Sequence, residues 1–167
     1  MSIGVYIVLS QGYVAIVDKQ DCALADMKWS AFVKRRADGS QRVYAVRGWT
    51  KENRMLLHQA VFGPTPNDID HRDGDGLNNR RANLREATRS RNSANARKRT
   101  GTASIFKGLY FHRKNKTWVA AIMVNGKRVH IGCFKNEINA AQAYNFTADE
   151  LVGEFARFNL PAKAVAK

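Results

Sequence analysis

The 167-residue chain is predicted to be α+β, with its strands and helices gathered in two successive parts. Three observations carry this. Residues 1–50 alternate in short β-rich runs. An acidic, turn-rich stretch at 68–84 stands between two segments of helical spacing. Beyond residue 105, three alternating runs lead into one amphipathic helix. A hydrophobic content of 44% is enough to build a core in each part.

The runs "VYIVLS", "YVAIVD", "KWSAFVKR" and "RVYAVRGW", separated by "QG", "DCALAD" and "ADGSQ", predict a small antiparallel sheet. "RMLLHQAVFG" follows with Met55, Leu56, Ala60 and Val61 at helical spacing and stops at Gly63-Pro64. The "DGDG" of "DIDHRDGDGLNNRRANL" (68–84) predicts a short hairpin or Ω-like loop. From Leu84, "LREATRSRNSANARKR" reads as a cationic helix. "TGTAS" at 100–104 is small and polar, the best place for a domain boundary. The runs "GLYFHR", "TWVAAIMV" and "KRVHIGCF" then form a meander, with Asn125-Gly126 as a type I′ turn. "NEINAAQAYNFTADELVG" closes it as a helix with Ile138, Ala141, Ala143, Tyr144, Ala148 and Leu151 on one face, ending at Gly153.

Twenty-eight Lys and Arg against fourteen Asp and Glu give a formal charge of +14, which makes nucleic acid the leading partner. A membrane is not expected. No apolar run approaches the roughly 18 to 20 residues of a spanning helix, and "IGVYIVLS" lacks a basic lead and a cleavage site, so a soluble intracellular protein is expected. Cys22 and Cys133 are far apart and build neither a disulfide framework nor a cysteine-rich zinc site. Any metal must be held by His, Asp and Asn, ligands suited to magnesium or manganese.

The 68–84 run invites a calcium-loop reading, which fails on spacing. With Gly76 at the sixth position of a twelve-residue loop, the first ligand is His71 and the last is Ala82, where a bidentate Glu is required. A plain surface turn is the other simple reading, and Asp73 and Asp75 fit it as turn residues. The neighbourhood says more. On a strand, Asp70 and His71 project to opposite sides, which separates a metal ligand from a free base.

From His58 to about Asn95, the combination of Asp70-His71, "NNR", "NL" and a helix Asn resembles the HNH endonucleases, particularly their homing and phage-type members. The resemblance implies a ββα-metal core at about 55–97 inside a nuclease domain spanning 1–99. It implies Asp70 and Asn92 as ligands of one divalent ion, Mg2+ or Mn2+, and His71 as general base, making His71, Asp70 and Asn92 the catalytic set. Asn83 would pin the loop by hydrogen bonds and Asn79 support it. His58 either supports the site or simply packs. Asn92 stands where many members have His, which favours exchangeable magnesium over tightly held zinc. Arg85, Arg89 and Arg91 are candidates for gripping DNA phosphates, although a charge run is also what a solvated helix face looks like.

Residues 106–160 resemble the AP2 DNA-binding domain through "KGLY", "W-x-A-x-I", "GK", "IGCF", "AAQAYN" and Asn159. In that family a three-stranded sheet enters the major groove and a helix packs behind it. Transfer by motif puts Lys107, Tyr110, His112, Arg113, Trp118, Arg128 and His130 on the DNA side, and alternation puts Leu109, Phe111, Val119 and Ile131 on the core side. The expected chain is thus α+β: a β-rich N-terminal region with a ββα-metal HNH core, a linker at 100–105, an AP2-like three-stranded antiparallel sheet packed on one helix at 106–160, and a tail at 161–167.

The two resemblances together imply a phage or mobile-element homing-type endonuclease. It would cut double-stranded DNA to 5′-phosphate and 3′-hydroxyl ends in the cytoplasm of a bacterial host. No protein partner is evident; one HNH centre handles one strand, so a double-strand break needs a homodimer or a second event. The rival reading is a non-catalytic DNA-binding regulator that uses only the AP2 domain. A weaker rival is an RNA-directed module.

Overall fold

The computed structural model describes residues 4–36, 39–48, 50, 53–98 and 101–160. The expected tail at 161–167 lies outside the described residues, as do Arg99 and Thr100 before and at the expected linker, Ala37 and Asp38 of "ADGSQ", and Trp49. The fold mixes helix and sheet and divides into two compact units, Met1–Ala87 and Thr88–Lys167. No helix of the described residues is long and apolar enough to cross a membrane.

In the first unit, β1 (Val5–Val8) pairs antiparallel with β2 (Val14–Val17). The period of two turns Ile7, Ala15 and Val17 into the core and leaves Tyr6 and Val8 outside. β3 (Ser30–Arg35), β4 (Gln41–Arg47) and β5 (Met55–Leu56) form a separate sheet in that order. The single N-terminal sheet expected from sequence is therefore two. A run of 3-10 turns over Lys19–Asp26 intervenes, and β2 has another partner: Ile16 N–H donates to Leu77 O at 2.9 Å, and Asn79 N–H to Ile16 O at 2.8 Å.

α1 (Leu57–Phe62) buries Leu57, His58 and Val61, and Gly63 ends it at φ 93°. Met55 and Leu56, expected on this helix, form β5 instead, because they pair with Val46 and Arg47. β6 (Asp68–His71) and β7 (Leu84–Ala87) make a hairpin in which Asp70 faces Arg85 and His71 faces Leu84. The cationic helix expected from Leu84 thus starts five residues later; pairing with β6 buries Leu84, Arg85 and Ala87 and holds that segment extended. Ile7, Leu9, Ala15, Val17, Trp29, Ala45, Leu57, Val61 and Leu84 close one core.

The second unit begins with α2 (Arg89–Asn95), where Thr88 Oγ1 accepts from Arg91 N–H at 3.3 Å. The unit boundary at Ala87/Thr88 precedes the polar 100–105 stretch because α2 packs on the strand at 117–124 and on the turn at 153–155. β8 (Leu109–His112), β9 (Thr117–Val124) and β10 (Lys127–Phe134) form an antiparallel sheet with β9 central. Its second turn has Asn125 at φ 50° and Gly126 at φ 77°, the signs a type I′ turn requires.

α3 (Glu137–Val152) is capped by Asn136, whose Oδ1 accepts from Ile138 N–H at 2.7 Å, and it ends at Gly153. Its buried face is Ala140, Ala141, Tyr144 and Ala148; Ile138 and Leu151, expected on that face, are exposed. The alanines of that face let the helix lie close on Leu109, Ala120 and Ile122. Asn159 ties the segment after α3 to the residue two before β8, accepting from Lys107 N–H at 2.6 Å and donating through Nδ2 to Lys107 O at 2.9 Å.

Candidate active site

β6 carries Asp70 and His71 into the interior of the first unit, 5% and 6% exposed. The loop after it is held by its own side chains and by backbone hydrogen bonds, two of them to Ile16 of β2. Asp73 accepts from Asp75 N–H at 2.8 Å and from the amides of Asn83 at 3.0 Å and Asn78 at 2.7 Å. Asp75 in turn accepts from Leu77 N–H at 3.0 Å. Burial raises the Asp73 carboxyl pKa, but these hydrogen bonds, with His71 nearby, outweigh it and hold the group below the usual carboxylate range. Both acids of "DGDG" are thus spent on the turn.

Asn83 also donates to Asn78 O at 2.7 Å and accepts from Asp73 N–H at 3.1 Å, so one amide spans the loop's entry and exit. Gly76 lets the loop lie on β4, since a Cβ there would sit 2.3 Å from Val43 O and 2.6 Å from the Tyr44 ring. Tyr44 in turn lies 6.1 Å from the His71 ring and 5.9 Å from that of His58. The two imidazoles meet edge to face at 5.1 Å.

Asn79 is fully buried. Its Nδ2 donates to Leu77 O at 3.0 Å, which leaves Oδ1 facing His71 Nε2 at 3.3 Å. With that amide oxygen as acceptor, Nε2 is the donor of this contact. Burial lowers the His71 pKa against the opposing pull of Asn79, Asp73, Asp70 and Asp75, so the ring is neutral at pH 7 and able to accept a proton.

Burial also brings His58 down to about 4, with His71 adding to the fall. The unfolded chain, with an ordinary histidine near 6.5, takes up this proton before the folded one does. Stability should therefore be full above about pH 6.5 and decline towards pH 4, with about 3 kcal/mol at stake for this ring. Urea midpoints at pH 7 and pH 4.5 check this: the wild type should lose more than His58→Gln over the same interval, and equal losses would refute it.

Asp70 is buried against Arg85, whose Nε and Nη2 reach Oδ2 at 3.0 and 2.8 Å. Arg85 was expected on a helix facing DNA; it lies on β7, 7% exposed, and turns inward to this carboxylate. Among the described residues no three His, Cys, Asp or Glu side chains cluster as a metal cage. A lone hard carboxylate does not fit closed zinc coordination. It fits an ion that keeps much of its water and takes further oxygens from a phosphate. His71, Asp70, Asn79, Asn83 and His58 are thus brought together in the first unit, whereas Asn92 stands half-buried on α2 of the second.

In the second unit, Tyr110, His112, Arg128 and His130 share one face of the sheet, as the pairs Tyr110↔Val119, Arg128↔Met123 and His130↔Ala121 require. The Arg128 guanidinium lies 4.9 Å from the Tyr110 ring centre. Arg113 is exposed in the following turn, and Arg89 and Arg91 are exposed on α2. Three expectations change. Trp118 pairs with Phe111 at 5.1 Å on the α3 side, because it is opposite Phe111 in register. Val119, expected inward, shares the Tyr110 face. Lys107 turns its ammonium to the carbonyls of Ser93 and Ala94 at the end of α2; burial, with Arg157 nearby, lowers its pKa to about 8.

Sequence reasoning missed Tyr44 and a clamp on the loop's exit. Asp18 accepts from Arg81 N–H at 2.8 Å, and Asp21 pairs with the Arg81 guanidinium at 2.7 Å. The one signal available was two acids close together in a strongly basic chain.

Comparison with known proteins shows what the chain is similar to. The HNH endonuclease family profile matches residues 55–94. An uncharacterized HNH endonuclease of Acanthamoeba polyphaga mimivirus is 39% identical over 113 residues, 64% of this chain; the chain spans 58% of that protein's length. Protein 3.8 of Escherichia phage T7 is 33% identical over 106 residues, covering 62% of this chain and 87% of the phage protein. With its matched segment carrying the Asp70-His71 hairpin and a phage relative aligned over most of its length, the chain belongs to the HNH endonuclease family.

Proposed function

We propose that the protein is a metal-dependent DNA endonuclease that hydrolyses phosphodiester bonds to 5′-phosphate and 3′-hydroxyl ends. The observation that carries the proposal is His71: buried, neutral at pH 7, held at Nε2 by Asn79 and adjacent to Asp70. His71 takes the proton of the attacking water, and Asn79 keeps the ring from turning as the charge forms. Asp70 holds a divalent ion, Mg2+ or Mn2+, and the family resemblance adds Asn92 as a second ligand. When bound, such an ion supplies charge stabilisation for the phosphate and the leaving 3′ oxygen. Magnesium-dependent nicking of supercoiled plasmid by wild type and His71→Ala is the test. Equal nicking by both, or none by either on any DNA including the natural target, defeats the proposal.

The second unit is proposed to be an AP2-like domain, at 106–160, that seats the duplex on the face bearing Tyr110, His112, Arg128 and His130, with Arg113, Arg89 and Arg91 on flanking phosphates. Arg128 is held over Tyr110 and so presents its charge with little ordering left to do. Arg128→Ala should weaken duplex binding across sequences and reduce the slope of log affinity against log salt by about one. Anisotropy titrations over a salt series read this directly. An unchanged slope would remove Arg128 from the interface, and stronger binding to duplex RNA than to DNA would overturn the substrate assignment. The phage relative and the family resemblance support a phage-type enzyme working in a bacterial host.

A further inference from the structure

Asp70 and Arg85 are direct cross-strand partners, so their side chains share one face of the β6–β7 hairpin, and both are almost fully buried. Two guanidinium N–H groups converge on the same oxygen, Oδ2. Burying such a pair removes two charges from water, and an apolar pair of equal volume is often the more stable choice. Stability alone is therefore a weak reason for an arginine at this position. Its full positive charge stands permanently beside the carboxylate assigned to a divalent cation.

We infer that Arg85 is a positioning residue that weakens cation binding at Asp70 in the free protein, so that the ion is held firmly only when a phosphodiester adds its own anionic oxygens. The inference rests on the reading of Asp70 as a metal ligand. The guanidinium does two things at once. It fixes the carboxylate's orientation through two hydrogen bonds on one oxygen, and its charge repels a second cation at the same group. Mg2+ and Mn2+, which favour a site completed by water and phosphate over an all-protein cage, are the ions for which such a half-neutralised ligand suffices.

Calorimetric titration of the full-length protein with Mn2+ alone, without DNA, tests this. Arg85→Met removes charge and hydrogen bonds; Arg85→Gln removes the charge but keeps a donor; Arg85→Lys keeps the charge. Both neutral variants should bind Mn2+ roughly tenfold more tightly than wild type, and Arg85→Lys should not. A merely structural arginine predicts the opposite, since loosening Asp70 would weaken binding. Unchanged or weaker binding in both neutral variants overturns the inference. If those variants fold only with Mn2+ present, a metal-dependent Tm reads the same competition and supports it; failure to fold even with Mn2+ overturns it. Asp70→Asn separates the two layers: if it leaves wild-type Mn2+ binding unchanged, the ligand assignment has failed and not the role of Arg85.

Discussion

His71→Ala is expected to lower the DNA cleavage rate by a factor on the order of 10^3 while leaving duplex affinity within about twofold of wild type. The residue is asked to supply a base and not a contact: it is 6% exposed, one nitrogen is engaged by Asn79, and the ring is neutral because burial disfavours its charge. Single-turnover cleavage with the protein in excess over DNA gives the rate, and anisotropy gives the affinity. A fall in affinity that accounts for the whole loss of rate would make His71 a binding residue. Wild-type cleavage by the variant would leave the hairpin with no catalytic part.

Gly108→Ala is expected to destabilise the second unit by about 3–5 kcal/mol. Gly108 has φ +76°, and a Cβ there would lie 2.2 Å from the Tyr144 ring and 2.5 Å from Ala121 O. Neither neighbour has room to move. Tyr144 is 2% exposed in the core under α3, and Gly108 O is itself bonded to Ala121 N–H at 2.9 Å. Gly126→Ala is the control: its φ is +77° but nothing lies within 4 Å, so only the left-handed backbone is penalised, at about 1–2 kcal/mol. Urea unfolding followed by tryptophan fluorescence compares the two, and equal losses would show that the close approach to Tyr144 is not what demands glycine.

The features legible in the sequence were those written locally. Asn125-Gly126 announces its turn, "DGDG" announces another, and Gly153 marks the end of α3, because each depends on backbone conformations that few residues adopt. The adjacency of Asp70 and His71 was equally plain. What stayed hidden depends on partners distant in sequence. "REATRS" has helical spacing, yet Arg85 is extended, since the carboxylate it meets is fifteen residues away. Arg81 finds Asp21 across sixty residues, and Tyr44 reaches the two histidines from a different sheet. Motif transfer put Trp118 on the DNA side, but register against Phe111 decides its face.

The pairing of β2 with Leu77 and Asn79 bears on how the Asp70-His71 hairpin and its loop could be moved between proteins. The segment 55–94 is a recognisable motif, but it is not a cassette. Asn79 owes its place to Ile16 O, and the segment after it is fastened by Asp18 and Asp21. Grafted alone onto a new scaffold, the motif would bring its histidine without the strand that holds the histidine's amide partner. Engineering or recombination that preserves the centre must therefore carry β2 and the 3-10 run behind it as part of the same inheritance.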